Sequence, residues 1–255
     1  MKELKRVSPP DCFDNSIKKS KEQKIKYYKN LRDSKGNIKN RWTTTCKDNQ
    51  DKISKIKKRV FDISNGKCAY CGKNITLSEM DIDHFLPKES FNYLAYCFDN
   101  YLPSCKVCNQ NVKGSFTPKS LKVKKIIEDI LKNESEIEYD LIYDKNYIFN
   151  TVAKNDRLLE PSFDKPSEHL EFNCEFLFYE AKSKIGETTI ATFFDKKEIA
   201  KEWEKISLHI KDLVLLNASK NTIDNFADLH GYEFLCNEFY NYWIEEKKEG
   251  RIVRV

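Results

Sequence analysis

No run of about 18 uncharged apolar residues occurs in the chain, and its opening residues, Met1-Lys2-Glu3-Leu4-Lys5-Arg6, lack the apolar stretch of a secretory signal. These absences predict a cytoplasmic protein with no membrane contact. Glycine is scarce, 7 in 255 residues, and no internal repeat or low-complexity tract is visible, which argues against solenoids and tandem arrays. Disorder throughout is excluded, because 40% apolar and 13% aromatic residues suffice for the core of one large domain or two modest ones. Histidine is scarcer still, 4 in all, so its setting matters wherever it occurs.

The 45 Lys and Arg exceed the 40 Asp and Glu by only 5, a balance that by itself says little. The distribution is uneven. Residues 1–60 carry 19 basic against 7 acidic side chains, a net of +12, whereas residues 126–255 carry 17 against 27, a net of −10. A basic arm suits a polyanion; an acidic half does not, and is expected to face a partner protein.

Periodicity divides the chain coarsely into a basic arm and helix over 1–50, a core over 51–133, and an α+β, then helical, region over 134–255 expected to bind a partner. A solvated helix is predicted from Ser16 to Leu31, and a firmer one between Asp51 and Ser64, where Ile53, Ile56, Val60, Phe61 and Ile63 recur and Asn65-Gly66 supplies a stop. From Lys67 to Gly114 helical periodicity vanishes. A helix is predicted again over 118–133, strands over 138–143, 147–152, 175–179 and 188–194, and helices over 196–216 and 222–247. Tyr27, Tyr28 and Trp42 interleave with the basic arm, and are read first as the core face of helices and second as stacking platforms for bases.

Nine cysteines without a secretory signal imply a reducing compartment, in which clustered thiols are metal ligands before they are disulfides. Cys68 and Cys71 form one C-x-x-C, Cys105 and Cys108 another; two such knuckles converge on a tetrahedral zinc ion. Cys12, Cys46, Cys97, Cys174 and Cys236 are read as small core hydrophobes. The knuckles are 33 residues apart, more than the roughly 15–20 of a zinc ribbon, so something of use is expected between them. There lies Met80-Asp81-Ile82-Asp83-His84-Phe85-Leu86-Pro87-Lys88. On an extended strand Asp83 and His84 point to opposite faces, which lets one hold a metal while the other faces a substrate water.

The order Cys68-Ala69-Tyr70-Cys71-Gly72, Ile82-Asp83-His84-Phe85-Leu86-Pro87, Asn100-Tyr101-Leu102, Cys105-Lys106-Val107-Cys108-Asn109, Lys113-Gly114 resembles the HNH endonuclease family, whose fold is a small ββα-metal finger. A later segment, from Leu158-Leu159-Glu160-Pro161 through Glu168-His169-Leu170-Glu171-Phe172, resembles the one that follows the nuclease core in HNH proteins of the Septu and retron-associated anti-phage systems. Two departures stand out. Glu160 takes the place of the usual asparagine, and one extra residue separates Asn109 from Lys113, which makes Asn111 a rival to Asn109. His169 is read as structural.

The resemblance implies an α+β chain: a ββα-metal finger with a four-cysteine zinc site, flanked by helices, acting as a metal-dependent endonuclease on DNA. His84 is implied as the general base, Asp83 and the amide oxygen of Asn109 as ligands of a catalytic Mg²⁺ or Mn²⁺, Asn100 as the brace of the loop that fixes His84, and Lys113 with Lys88 as phosphate contacts. By analogy with the Septu systems it also implies an ATPase partner subunit. RNA cleavage by the same site, and a zinc module that binds nucleic acid without cutting it, stay open.

Overall fold

The structure is a computed structural model and describes residues 1–12, 33–44, 46–50, 52–91, 94–114, 116–118, 157–195 and 197–253. The expected helix over 16–31, all but Pro118 of the one over 118–133, the strands over 138–143 and 147–152, Tyr27, Tyr28 and the boundary between 133 and 134 lie outside these residues.

The first half begins with a short helix α1 (Arg41–Thr44) and α2 (Lys55–Asp62). Ile56 and Val60, four apart, put one face of α2 into the core, and Asn65 and Gly66, both with positive φ, stop the chain as predicted. Strands β1 (Asp81–His84) and β2 (Tyr101–Ser104) pair antiparallel, with Asp83 opposite Leu102 and His84 opposite Tyr101. A π-helix follows, α3 (Val107–Lys113). Together they make the β-β-helix order expected for the finger.

The second half opens with α4 (Pro166–His169), which leads into a hairpin of β3 (Leu170–Asn173) and β4 (Phe178–Ala181). Next come α5 (Lys184–Thr189), continued as a π turn (Ile190–Phe194), and the long helices α6 (Lys197–Leu215), α7 (Lys220–His230) and α8 (Glu233–Lys248). Trp203, Ile206, Ile210 and Val214 form the buried stripe of α6. It packs on α8, where the Trp243 indole N–H donates to Ser207 O at 3.0 Å and the Lys247 ammonium to Val214 O at 2.7 Å. Phe172, Tyr179, Phe194, Trp203 and Phe239 interlock at their junction, with Phe172 edge-on to both Trp203 and Phe239.

Three expectations need correcting. The predicted strand over 188–194 is helical: Ser183 caps α5 by accepting from Gly186 N, and the hydroxyls of Thr188, Thr189 and Thr192 donate to carbonyls four residues earlier, which lets a β-branched run sit in a helix. Of the predicted strand over 175–179, residues 175–177 form the hairpin turn. The last helix breaks at Gly231, whose φ of +83 no helix accepts and whose Cβ, if it had one, would lie 2.5 Å from Asn74 N. That close approach ties the C-terminal helices to the first knuckle, with Tyr232 N donating to Gly72 O at 2.8 Å.

Candidate functional site

The four knuckle thiols converge. Cys68, Cys71, Cys105 and Cys108 place their Sγ atoms all within 4.8 Å of one another, with Cys71 and Cys105 4.0 Å apart. A zinc ion with four sulfurs at about 2.3 Å sets them roughly 3.8 Å from each other, so the cluster can hold zinc. Its local scaffold is tight: Cys68 N donates to Lys73 O, Gly72 N to Cys68 O, and Cys108 N to Cys105 Sγ. Ala69 N donates to Pro103 O, which fastens the first knuckle to β2. Cys97 and Cys236 are buried and burial pushes both thiols up to about 12, in keeping with the inert role read for them.

Cys12 and Cys46 differ from that reading. They are joined as a disulfide, with Cα atoms 5.8 Å apart. A separation of 34 residues gives no hint of such pairing, which depends on the Cα atoms coming within bonding range.

His84 ends β1 inside a shell of aromatic rings. Its ring meets Trp42 edge-on at 4.5 Å and Tyr101 at 5.0 Å, and only 7% of the residue is exposed. Nε2 lies 3.0 Å from Ala95 O. A carbonyl only accepts, so Nε2 carries the proton and Nδ1 is left as an acceptor. Burial, more than the nearby Lys88 and Lys113 charges, pushes the imidazole down from its ordinary 6.5 to about 3. The neutral ring is thereby favoured across the physiological range.

The Ala95 carbonyl is itself fixed. Tyr101 Oη donates to it at 2.7 Å, and Asn100 closes the loop from Leu86 to Leu94: its Oδ1 accepts from Leu86 N at 2.8 Å while its Nδ2 donates to Leu86 O at 3.0 Å and to Leu94 O at 3.4 Å. Asn100 thus ties Leu86 and Leu94 to the start of β2.

Asp83 faces the other side of the hairpin and is 3% exposed. Its Oδ1 accepts from Lys113 Nζ at 2.8 Å, and its Oδ2 accepts from Tyr70 Oη. Burial, followed by the Asp83 charge, holds the Tyr70 phenol well above its usual range, so it stays a donor. Lys113 is therefore placed differently from the expected phosphate contact: it is 4% exposed and its ammonium also donates to His84 O at 2.8 Å. Lys88 keeps a solvent-facing position on the rim, 3.4 Å from Glu89 and over the Trp42 ring.

The extra residue before Lys113 is absorbed in the helix. Gly114 N donates to Asn109 O, a bond spanning five residues, and this π turn keeps both Asn109 and Lys113 on the side facing β1 while Asn111 points to solvent. Asn109 Nδ2 donates to Asp81 Oδ2 at 3.1 Å, and Gln110 Nε2 donates to the same oxygen at 2.7 Å. Sequence reasoning passed over Asp81 and Tyr70; the signal for Asp81 was its i, i+2 relation to Asp83 on one strand face.

Asp81, Asp83, His84, Asn109 and Lys88 border a cavity of about 420 Å³, together with Trp42 and Lys57. Its oxygens are those of carboxylates and a carboxamide, the hard kind that Mg²⁺ or Mn²⁺ takes and different from the thiolate cluster, and both Asp83 oxygens are held by Lys113 Nζ and Tyr70 Oη. His169 lies apart, its Nδ1 2.7 Å from the Ser183 hydroxyl at the start of α5, a structural place.

The family model of the HNH endonucleases matches residues 68–114, which span both knuckles, the hairpin and α3. The Septu protein PtuB of Bacillus mycoides (strain KBAB4) is 27% identical over 177 residues, covering 63% of this chain and 52% of that relative. The Septu protein PtuB of Bacillus thuringiensis is 41% identical over 56 residues, 21% of this chain and 22% of that one. The chain thus spans about half the length of the first relative and about a fifth of the second. No solved structure matches. The chain resembles the Septu HNH nucleases, and it carries an HNH endonuclease-type finger in its first half.

Proposed function

We propose that the chain is a metal-dependent endonuclease that hydrolyses phosphodiester bonds in DNA, the nuclease of an anti-phage system working with an ATPase subunit. The observation that carries the reading is the fixed tautomer of His84. With Nε2–H tied to Ala95 O, Nδ1 is left as an acceptor, and His84 lines the same cavity as Asp83 and Asn109.

A phosphodiester is a stable anion, and its hydrolysis needs a base for the attacking water and positive charge against the leaving oxygen. His84 Nδ1 takes the proton from water, and the ring is held for that role by Ala95, Tyr101 and Trp42. A divalent cation, when bound by Asp83 and Asn109, supplies the charge on the phosphate and the departing 3′ oxygen. Asp81 holds the Asn109 amide by its nitrogen, which leaves Oδ1 as the ligand atom. Lys57 and Lys88, on the cavity wall, attract the backbone without reading bases, and the basic arm extends that attraction.

The test is cleavage of supercoiled DNA, linear DNA and tRNA by the purified chain, with and without Mn²⁺, beside His84→Ala. Mn²⁺-dependent nicking of DNA that the variant lacks supports the proposal. Cutting confined to tRNA reassigns the substrate, and intact substrates throughout reduce the chain to a binding module.

A further inference from the structure

The β3–β4 hairpin is anchored by one face and bare on the other. Phe172 and Tyr179 point inward onto Trp203, at ring distances of 5.3 and 5.5 Å. At the tip Phe176 is 65% and Phe178 44% exposed, their rings 6.3 Å apart. Leaving phenylalanine rings in water forgoes the stabilisation that their burial would bring. The tip is also strained: Leu177 sits at φ +57, in the left-handed region that disfavours a branched side chain. Asn173 Oδ1 accepts from Phe176 N at 3.0 Å and holds the turn in this form.

The charge around the tip has one sign in excess. On the outer face Glu171 and Glu180 stand directly opposite each other, the first with Lys182 Nζ at 3.1 Å and the second accepting from Asn173 Nδ2 at 3.0 Å, so the pair still carries a net negative charge. Glu175 is exposed at the tip, and Glu246 of α8 lies in the same field, near Tyr242. Among the described residues Lys182 and Arg251 oppose these four carboxylates, and they are already paired, with Glu171 and Glu246 respectively. Such a surface repels nucleic acid and anionic lipid alike.

We propose that this tip is the docking anchor for a partner protein, with Phe176 and Phe178 entering an apolar cleft whose rim carries lysine and arginine. The assignment rests on the reading that the chain works with an ATPase subunit, and it places that subunit's contact on the hairpin, none of whose residues line the nuclease cavity. Two phenylalanines and a few carboxylates suit the energetic centre of an interface rather than its whole area.

The full chain is co-expressed with the product of its adjoining gene, the ATPase on this reading, and complex formation is followed by light scattering and by the dissociation constant. Phe176→Ser/Phe178→Ser and, separately, Glu171→Lys/Glu180→Lys are expected to raise that constant at least tenfold while each variant nicks DNA at the wild-type rate. Equal binding by wild type and both variants overturns the proposal, as does a wild type that forms no complex. A wild type that pairs with itself through the tip overturns it in favour of a second copy. Failure of the nuclease reading shows separately, as wild-type chain that binds its partner and leaves DNA intact.

Discussion

Three side chains decide how the cavity works: His84, Lys113 and Asp81. The imidazole is depressed to about 3 by burial, while in the unfolded chain it titrates near its ordinary value. Between about pH 6.5 and 3 the unfolded chain therefore binds a proton that the folded one refuses. Stability contributed by this group is complete above about pH 6.5 and is lost as the pH falls, by about 1.4 kcal/mol per pH unit at most. Urea titrations of wild type and His84→Ala across that window should show the steeper decline in wild type; parallel curves would contradict the assignment. Lys113 is a buried cation on a buried carboxylate. Lys113→Ala leaves Asp83 charged and unpaired by that ammonium, and a loss of about 3–5 kcal/mol is expected by chemical denaturation. Asp81 holds the Asn109 amide, and on the proposed function Asp81→Ala should raise the Mn²⁺ concentration needed for half-maximal cleavage about 10–100-fold, with a smaller effect at saturating metal, whereas Asp81→Asn, which can still accept, should keep part of the affinity.

At the scale of elements, the thiol cluster brings the first knuckle together with the segment from the end of β2 into α3. Because structural zinc is bound with a free energy of about 10–16 kcal/mol in small fingers, Cys105→Ser should give a chain that retains helical signal from α6 to α8, loses zinc by metal analysis and does not cleave. A variant with full zinc content and activity would refute that role. Here the sequence was most legible: thiol spacing, the Asp-His pair and the amphipathic stripes of α2 and α6 are local patterns, and each lies where its pattern put it. The misses have non-local or competing causes. Residues 188–194 carry β-formers whose hydroxyls are satisfied within a helix, and the break at Gly231 is set by the approach of Asn74. Asp81 and Tyr70 gain meaning only once α3 and the first knuckle are folded against β1.

Over the whole molecule, Arg6 joins the leading segment to both halves. It donates to Asp99 O at 2.7 Å and to Tyr101 O behind the His84 loop, and to Ser162 Oγ and Glu160 in the segment that resembles the Septu proteins. This gives a physical reason for Glu160 where asparagine is usual, because a carboxylate neutralises the part-buried guanidinium. Glu160→Asn should therefore cost about 3–5 kcal/mol in a denaturant titration, and pairing it with Arg6→Gln should recover part of that loss. Lys57, Lys88 and Lys113 line the cavity beside His84, whereas exposed carboxylates and phenylalanines gather at the hairpin.

The claim on which the rest depends is that His84 is the base. The most direct measurement is the single-turnover rate of nicking of supercoiled DNA, with Mn²⁺, by wild type and by His84→Ala preparations matched in zinc content. A fall of about 10²–10⁴-fold at equal zinc is the predicted result, and an unchanged rate would contradict the account.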